Sequence, residues 1–308
     1  MRLLKISREK AILFHHLMIY KLFDMYKIVK KELLTPIICL MEVQASRLAD
    51  SAQPGQFLIV RVNDKSERIP LTICDFDRKK GTVTIVTQIV GASSLKICNL
   101  NEGDSFVDVV GPLGQASEFI HSTDAEIKGK KFLFVAGGLG TAPVYPQVKY
   151  LHSKGASIDV IIGSKNVDML IFEEQMKAVC DNLFICTDDG SKGEKGLVTD
   201  VIKKLISQGK KYDQAVAIGP MIMMKFVTLT MKDFGIPLIV SLNTLMVDGT
   251  GMCGACRVTV GGKMKFACVD GPEFDAYQVD FDEAMRRQTI YKDVEMEAAH
   301  KCRIGLNS

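Results

Sequence analysis

Three cysteines and one aspartate near the C-terminal end, Asp248, Cys253, Cys256 and Cys268, fall at the spacing D-x4-C-x2-C-x11-C. Thiolates are soft ligands that hold iron–sulfur clusters or zinc. The order matches the C-x4-C-x2-C…C spacing of thiolate-held [2Fe–2S] centres, with aspartate at the first ligand position. A zinc site shares the C-x2-C pair but usually brings a second close pair, and here a single further cysteine follows nearby. Asp248 has two readings, a fourth ligand or a turn residue in a glycine-rich loop, and the x4 spacing favours ligation. Gly249, Gly251 and Gly254 let the backbone curl around a compact inorganic core. Arg257–Val260 and Lys263–Ala267 read as two short strands joined by Gly261-Gly262, a hairpin that returns Cys268 to Cys253 and Cys256.

Two further constellations suit phosphate-bearing ligands. Gly138-x-Gly140-x-x-Pro143 lies between the apolar run Lys131–Ala136 and a helical stretch, Val144–Ser153. There a dinucleotide pyrophosphate can approach the backbone and meet a helix N-terminus. The loop also holds Thr141 and Ala142. Pro143 replaces the third glycine of the usual fingerprint, so a tight strand-to-helix turn without a ligand is the competing reading. Gly219 and Pro220 follow a later strand at the same sheet edge, where open α/β sheets bind ligands. Asp188 also ends a strand, and either contacts a ribose or solvates a loop. Ser164 and Lys165 fall near the expected ribose and leave NAD and NADP both open.

Arg68, Pro70, Leu71 and Thr72 enter a strand from a loop. An arginine fork suits a pyrophosphate, and a hydroxyl four residues on donates to the same oxygens. Gly91, Ser93 and Ser94 form a small-residue turn that exposes N–H groups. Gly111 and Gly114 close the segment. Together they suggest a flavin.

The elements that must position these residues change character along the chain. Strand signals at Ile37–Val43, Gly55–Arg61, Leu71–Cys74, Thr82–Gln88 and Ser105–Val110 predict an antiparallel β-barrel over 25–125. From Lys131 strands and helices alternate: helices over Leu170–Cys180, Leu197–Gln208 and Met221–Phe234, and strands at Ile158–Ile162, Leu183–Thr187, Ala215–Ile218 and Ile236–Leu242. That alternation predicts an α/β doubly wound domain over 126–242. Residues 243–308 form a small module of cluster loop, hairpin and tail, helical around Asp282–Gln288. Residues 1–24 are apolar and basic, contain no run long enough for a membrane span, and read as an extension of unknown role.

The 308 residues are 47% hydrophobic and 24% charged, ordinary for a soluble protein of about two domains. A net charge of +3 without basic runs gives no case for nucleic acid. Of the nine cysteines, three belong to the cluster motif and the other six are scattered; they are no secreted disulfide framework and favour a reducing cytoplasm.

Barrel, nucleotide domain and cluster loop, in that order, resemble the ferredoxin–NADP reductase superfamily. Within it the chain is similar to dihydroorotate dehydrogenase electron-transfer subunits. It is more similar to the small subunits of NADH-dependent reduced ferredoxin:NADP oxidoreductase, also called sulfide dehydrogenase. The likeness runs from about Met25 to Asp282 and is most specific at Arg68–Thr72, Gly137–Pro143, Thr187–Gly190, Val247–Cys256 and Phe266–Phe274. It implies that Asp248, Cys253, Cys256 and Cys268 bind the cluster. It implies FAD on Arg68, Leu71 and Thr72, helped by Gly91, Ser93, Ser94, Gly111 and Gly114, and NAD(H) on Gly138, Gly140, Thr141 and Pro143. Dihydroorotate dehydrogenase subunits carry four cysteines, so the aspartate separates the two groups. The resemblance also implies a heterodimer with a larger subunit bearing its own FAD and [4Fe–4S] clusters, which would serve NADP(H), ferredoxin and electron bifurcation. The function expected is hydride exchange between NAD(H) and FAD coupled to single-electron exchange with the cluster, without a catalytic acid or base. The rivals are a dihydroorotate or sulfide dehydrogenase subunit, and a non-catalytic iron–sulfur scaffold or sensor.

Overall fold

The first strands form where apolar side chains alternate or run unbroken, and they close on themselves. The computed structural model describes residues 26–303, so the expected extension at 1–24 lies outside the described residues. The barrel strands are β1 (Ile28–Thr35), β2 (Ile38–Gln44), β3 (Phe57–Arg61), β4 (Ile69–Asp77), β5 (Thr82–Gln88) and β6 (Asp108–Leu113). They lie in the order β1-β2-β5-β4-β3-β6 with antiparallel neighbours. Ile28 N donates to Asp104 O at 2.8 Å and Phe106 N to Tyr26 O at 3.1 Å, which joins the two ends of the sheet. Helices α1 (Ser46–Ser51) and α2 (Ala92–Cys98) cap it. Cys39 on β2 and Cys98 at the end of α2 place their sulfurs 2.7 Å apart in the barrel core.

Strand β3 shows why its sequence is apolar throughout. Leu58 and Val60 point into the barrel, while Phe57 and Ile59 join the core of the neighbouring domain. Alternate residues of a strand face opposite sides, so a strand buried on both must be apolar at every position. β2 behaves likewise: Ile38 and Leu40 pack with Ala142, Ile171 and Phe172 across the domain boundary.

The second half contains α3 (Asp124–Ile127), β7 (Lys131–Gly137), α4 (Thr141–Ser153), β8 (Ser157–Ser164), α5 (Glu173–Lys177), β9 (Asn182–Thr187), β10 (Glu194–Lys195), α6 (Val198–Ser207), β11 (Gln214–Ile218), α7 (Met221–Lys232) and β12 (Leu238–Ser241). The expected helix over Leu170–Cys180 is cut to α5, because Phe172 takes a left-handed backbone with φ 60° immediately before it. Next come the hairpin β13 (Arg257–Val260) and β14 (Lys263–Phe266), β15 (Glu273–Asp275), α8 (Phe281–Gln288) and α9 (Lys292–Arg303). The sheet order is β10-β9-β8-β7-β11-β12-β15. Its pairs are parallel except β12 with β15. The segment after the cluster loop thus supplies the edge strand of the α/β sheet, and the module drawn at 243–308 is built into its neighbour. Among the described residues no helix is long and apolar enough to cross a membrane.

Candidate cofactor cleft and metal centre

The loops after β7 and β11 meet where neither has room for a side chain. A Cβ on Gly140 would overlap the Ile218 carbonyl, and one on Gly219 would lie 3.1 Å from Gly137 Cα. Gly138 has φ 54°, and Thr141 Oγ1 donates to its carbonyl at 2.9 Å, which fixes the turn into α4. A cleft of about 1580 Å³ opens beside these loops and runs to the barrel. Pro70, Leu71 and Thr72 of β4 line one wall, and Gly138, Gly140, Pro143, Asp188, Gly219 and Pro220 line the other. The structure therefore brings the flavin-type motif and the nucleotide-type loops onto one cavity. Thr141 and Ala142 stand behind it: Thr141 is buried, and Ala142 packs in the core between the domains.

The remaining barrel residues lie outside the cleft lining. Arg68 pairs through Nη1 with Asp108 at 3.0 Å, while its buried Nε has no partner. An unpartnered buried guanidinium N–H suits a phosphate oxygen. Gly91 precedes α2; Ser94 Oγ accepts from Val90 N and Gly91 N, each at 2.9 Å, and Ser93 donates to Glu67. Gly111 and Gly114 are explained by packing. A Cβ on Gly111 would lie 3.0 Å from Leu48 and Leu58 side-chain atoms, and one on Gly114, at φ 73°, 2.9 Å from Pro272.

The cluster loop sits directly on the barrel. Gly249, at φ 83°, leaves no space for a Cβ against the side chain of Ile59, with Leu113 3.1 Å away. Gly251 and Gly254 also take left-handed backbones, at φ 86° and 67°. Gly261 and Gly262, at φ 59° and 71°, form the turn of the hairpin, whose register pairs Arg257 with Phe266. That hairpin brings Cys256 and Cys268 together, both buried, with sulfurs 3.1 Å apart. Cys253 is exposed, and Asp248 Oδ2 accepts from Thr250 N at 2.9 Å and from the Thr250 hydroxyl. Among the described residues no three Cys, His, Asp or Glu side chains converge on one metal position. So two of the four expected ligands meet, and the other two lie on the adjoining loop.

The local electrostatics favour the anionic form at Cys253 and Asp248 and oppose it at buried Cys268. The N–H of Ala255, with those of Asp248 and Val247, holds the Cys253 thiol below its ordinary pKa. Burial and the Cys256 thiol push Cys268 up to about 12, opposed by the Gly251 N–H. Hydrogen bonds from Thr250 hold the Asp248 carboxyl below its usual range, with a smaller contribution from the Arg68 charge. A loop that left-handed glycines curl around three cysteines and an aspartate matches a thiolate-bound cluster.

Three groups escaped the sequence reading. Lys203, on α6, lines the cleft with Lys165 and Asp188. Met285 and Gln288 of α8 line its far end. Glu273 sits where the three parts meet, accepting from Ser117 Oγ at 2.9 Å and Gln147 Nε2 at 2.7 Å. Glu273 stands between Asp270 and Asp275 in the sequence, so no local signal sets it apart from them.

A closed antiparallel barrel joined to a doubly wound sheet, with a ligand cleft between them, is a ferredoxin-reductase-like architecture. Residues 243–280 match the family described as the iron–sulfur cluster binding domain of dihydroorotate dehydrogenase B. The chain is 44% identical over 269 residues to the dihydroorotate dehydrogenase B (NAD(+)) electron transfer subunit homolog of Thermotoga maritima, covering 87% of this chain and 92% of that one. It is 58% identical over 275 residues to an uncharacterised protein in the adh 3′ region of Clostridium beijerinckii, covering 89% and 93%. A structure solved in work on flavin-based electron bifurcation by NADH-dependent reduced ferredoxin–NADP oxidoreductase is 41% identical, with TM-score 0.84, over 91% of this chain and 98% of that one. The chain belongs to the family of dihydroorotate dehydrogenase B electron-transfer subunits and their homologues.

Proposed function

We propose that this chain is the electron-transfer subunit of an NADH-dependent reduced ferredoxin–NADP oxidoreductase type of complex. It binds FAD, NAD(H) and a [2Fe–2S] cluster, and the cleft leaves NADP(H) open as an alternative dinucleotide. The observation that carries this reading is the single cavity walled by Pro70–Thr72 and by the Gly138–Pro143 and Gly219-Pro220 loops, with the cluster loop seated on the same barrel at Ile59. When bound, FAD accepts electrons as a hydride pair and releases them singly, which nicotinamide and iron–sulfur centres cannot do for each other directly.

The chain's own residues position and shield these groups. Thr72 and Leu71, which line the cleft, and the free Nε of Arg68 would hold the flavin, the guanidinium on its pyrophosphate. Gly138, Gly140 and Gly219 would admit the dinucleotide to the backbone, and Asp188, on the same wall, would contact a ribose. Asp248, Cys253, Cys256 and Cys268 would hold the cluster, with Cys256 and Cys268 already side by side. The partner is a larger subunit with its own FAD and [4Fe–4S] clusters, through which ferredoxin is reached, and the compartment is the cytoplasm.

The test is anaerobic purification with the co-expressed partner. Bleaching of a flavin band by NADH, followed by the paramagnetic signal of a reduced [2Fe–2S] centre, is the expected result; zinc without iron overturns it. The name of the family matched at 243–280 supports a second reading, a dihydroorotate dehydrogenase subunit. Cluster reduction by dihydroorotate in the complex would select it.

A further inference from the structure

Helix α8 lies just beyond the segment that matches the cluster-binding family, which ends at residue 280. It is fixed at several points. Asp280 N donates to Thr259 O of the hairpin at 2.9 Å, and Asp280 Oδ1 caps the helix by accepting from Glu283 N at 2.9 Å. Lys225 of α7 pairs with Asp282 at 2.6 Å, and Gln288 Nε2 donates to Asn243 O at 2.7 Å. A helix held this way presents each side chain at a set position.

One of those side chains is Arg287. Its Nη2 donates to Ala255 O at 3.2 Å, inside the C-x2-C turn between Cys253 and Cys256. Its Nε is buried and has no partner. Among the described residues no carboxylate forms an ion pair with it, and Glu283, one turn earlier on α8, does not reach it. A partly enclosed guanidinium without a counter-ion calls for a negative neighbour. The donor set beside it supplies one: two ferric ions, two sulfides, three thiolates and a carboxylate make a formal dianion, which one-electron reduction turns into a trianion.

We infer that Arg287 is a positioning residue that holds the cysteine turn and raises the reduction potential of the cluster. The inference rests on the proposed cluster reading. Arg287 acts through the Ala255 peptide, which lies between Cys253 and Cys256 and whose carbonyl takes the guanidinium. The positive charge favours the more negative, reduced state, and hydrogen bonding and burial are established levers on cluster potential. Arg257 offers an internal control. It donates to Gly254 O at 3.3 Å from an exposed position, where solvent screens its charge.

The experiment is an anaerobic redox titration of the holo-complex, followed by electron paramagnetic resonance, for the wild type, R287Q, R287K and R257Q. R287Q should lower the midpoint about tenfold in the reduction equilibrium, about 59 mV for one electron. R287K, which keeps charge but loses the fork, should fall between, and R257Q should move less than R287Q. A full-iron R287Q with an unchanged midpoint and g-values overturns the inference, as do equal shifts for R287Q and R287K, which would mark a packing effect. If R287Q does not retain iron, R287K decides: retention supports the role of charge, and loss overturns it. A wild-type complex without an iron–sulfur signal refutes the cluster reading itself, a different outcome from a silent Arg287.

Discussion

Replacing Glu273 with glutamine should make the protein more stable at alkaline pH. Glu273 comes from β15, its hydroxyl donor Ser117 from the segment after the barrel, and its amide donor Gln147 from α4. Burial pushes the Glu273 carboxyl up to about 7, opposed by these two hydrogen bonds and helped slightly by Glu118. A carboxyl raised in the folded state binds its proton more tightly there than in the unfolded chain. Its stabilising contribution is therefore complete below about pH 4.5 and is lost as pH rises through about 7. The distance from 4.5 to about 7 corresponds to about 3 kcal/mol. Glutamine keeps the shape, loses the charge and brings an N–H₂ that can reach the buried, unpartnered Oε1 of Gln147. Urea denaturation of wild type and E273Q in parallel between pH 5 and 8 checks this. E273Q should gain on the wild type by up to about 3 kcal/mol as pH rises. A difference that stays constant across that range would refute the reasoning.

Three other substitutions separate the sites. Gly140→Ala puts a methyl into the Ile218 carbonyl, a backbone contact that cannot yield; it should cost about 1–3 kcal/mol in a thermal melt and slow flavin reduction by NADH with flavin content unchanged. Gly249→Ala meets both a φ of 83° and the Ile59 side chain, and should reduce iron content while leaving flavin bound, read by metal and absorbance analysis. Arg68→Ala removes the free Nε and should weaken FAD retention at least about tenfold, measured by flavin release on dilution, with iron unaffected.

What the sequence displayed well was local. The unbroken apolar run of β7, the alternation of strands and helices after it, and the Gly261-Gly262 turn each carry their signal within a few residues. What it hid depended on distant partners. β15 is three residues long, and only pairing with β12 makes it a strand. Cys39 and Cys98 touch across 59 residues of chain. Arg287 is one more charge in a polar tail until α8 sets it on the cluster turn. The glycines were ambiguous for a physical reason: room for a ligand and room for another piece of chain look identical in sequence. Gly138 lines a cavity, whereas Gly111 and Gly114 are filled by Leu48, Leu58 and Pro272.

Strand β3 explains how the cleft and the cluster loop come to be neighbours. Phe57 lines the cleft and pairs in register with Thr72, while Ile59, two residues on and on the same face, touches Gly249 of the cluster loop. Two residues of strand span about 7 Å, so the backbone sets the spacing of the two residues that make these contacts. Hydrogen bonds to β4 and β6 hold β3 on both edges, and its two faces are buried in different cores. A spacer locked on four sides keeps a two-electron site and a one-electron site at fixed separation while ligands enter and leave the cleft. That arrangement suits a chain whose task is to pass electrons between them, and it explains why the cluster loop is anchored on the barrel as well as on its own hairpin.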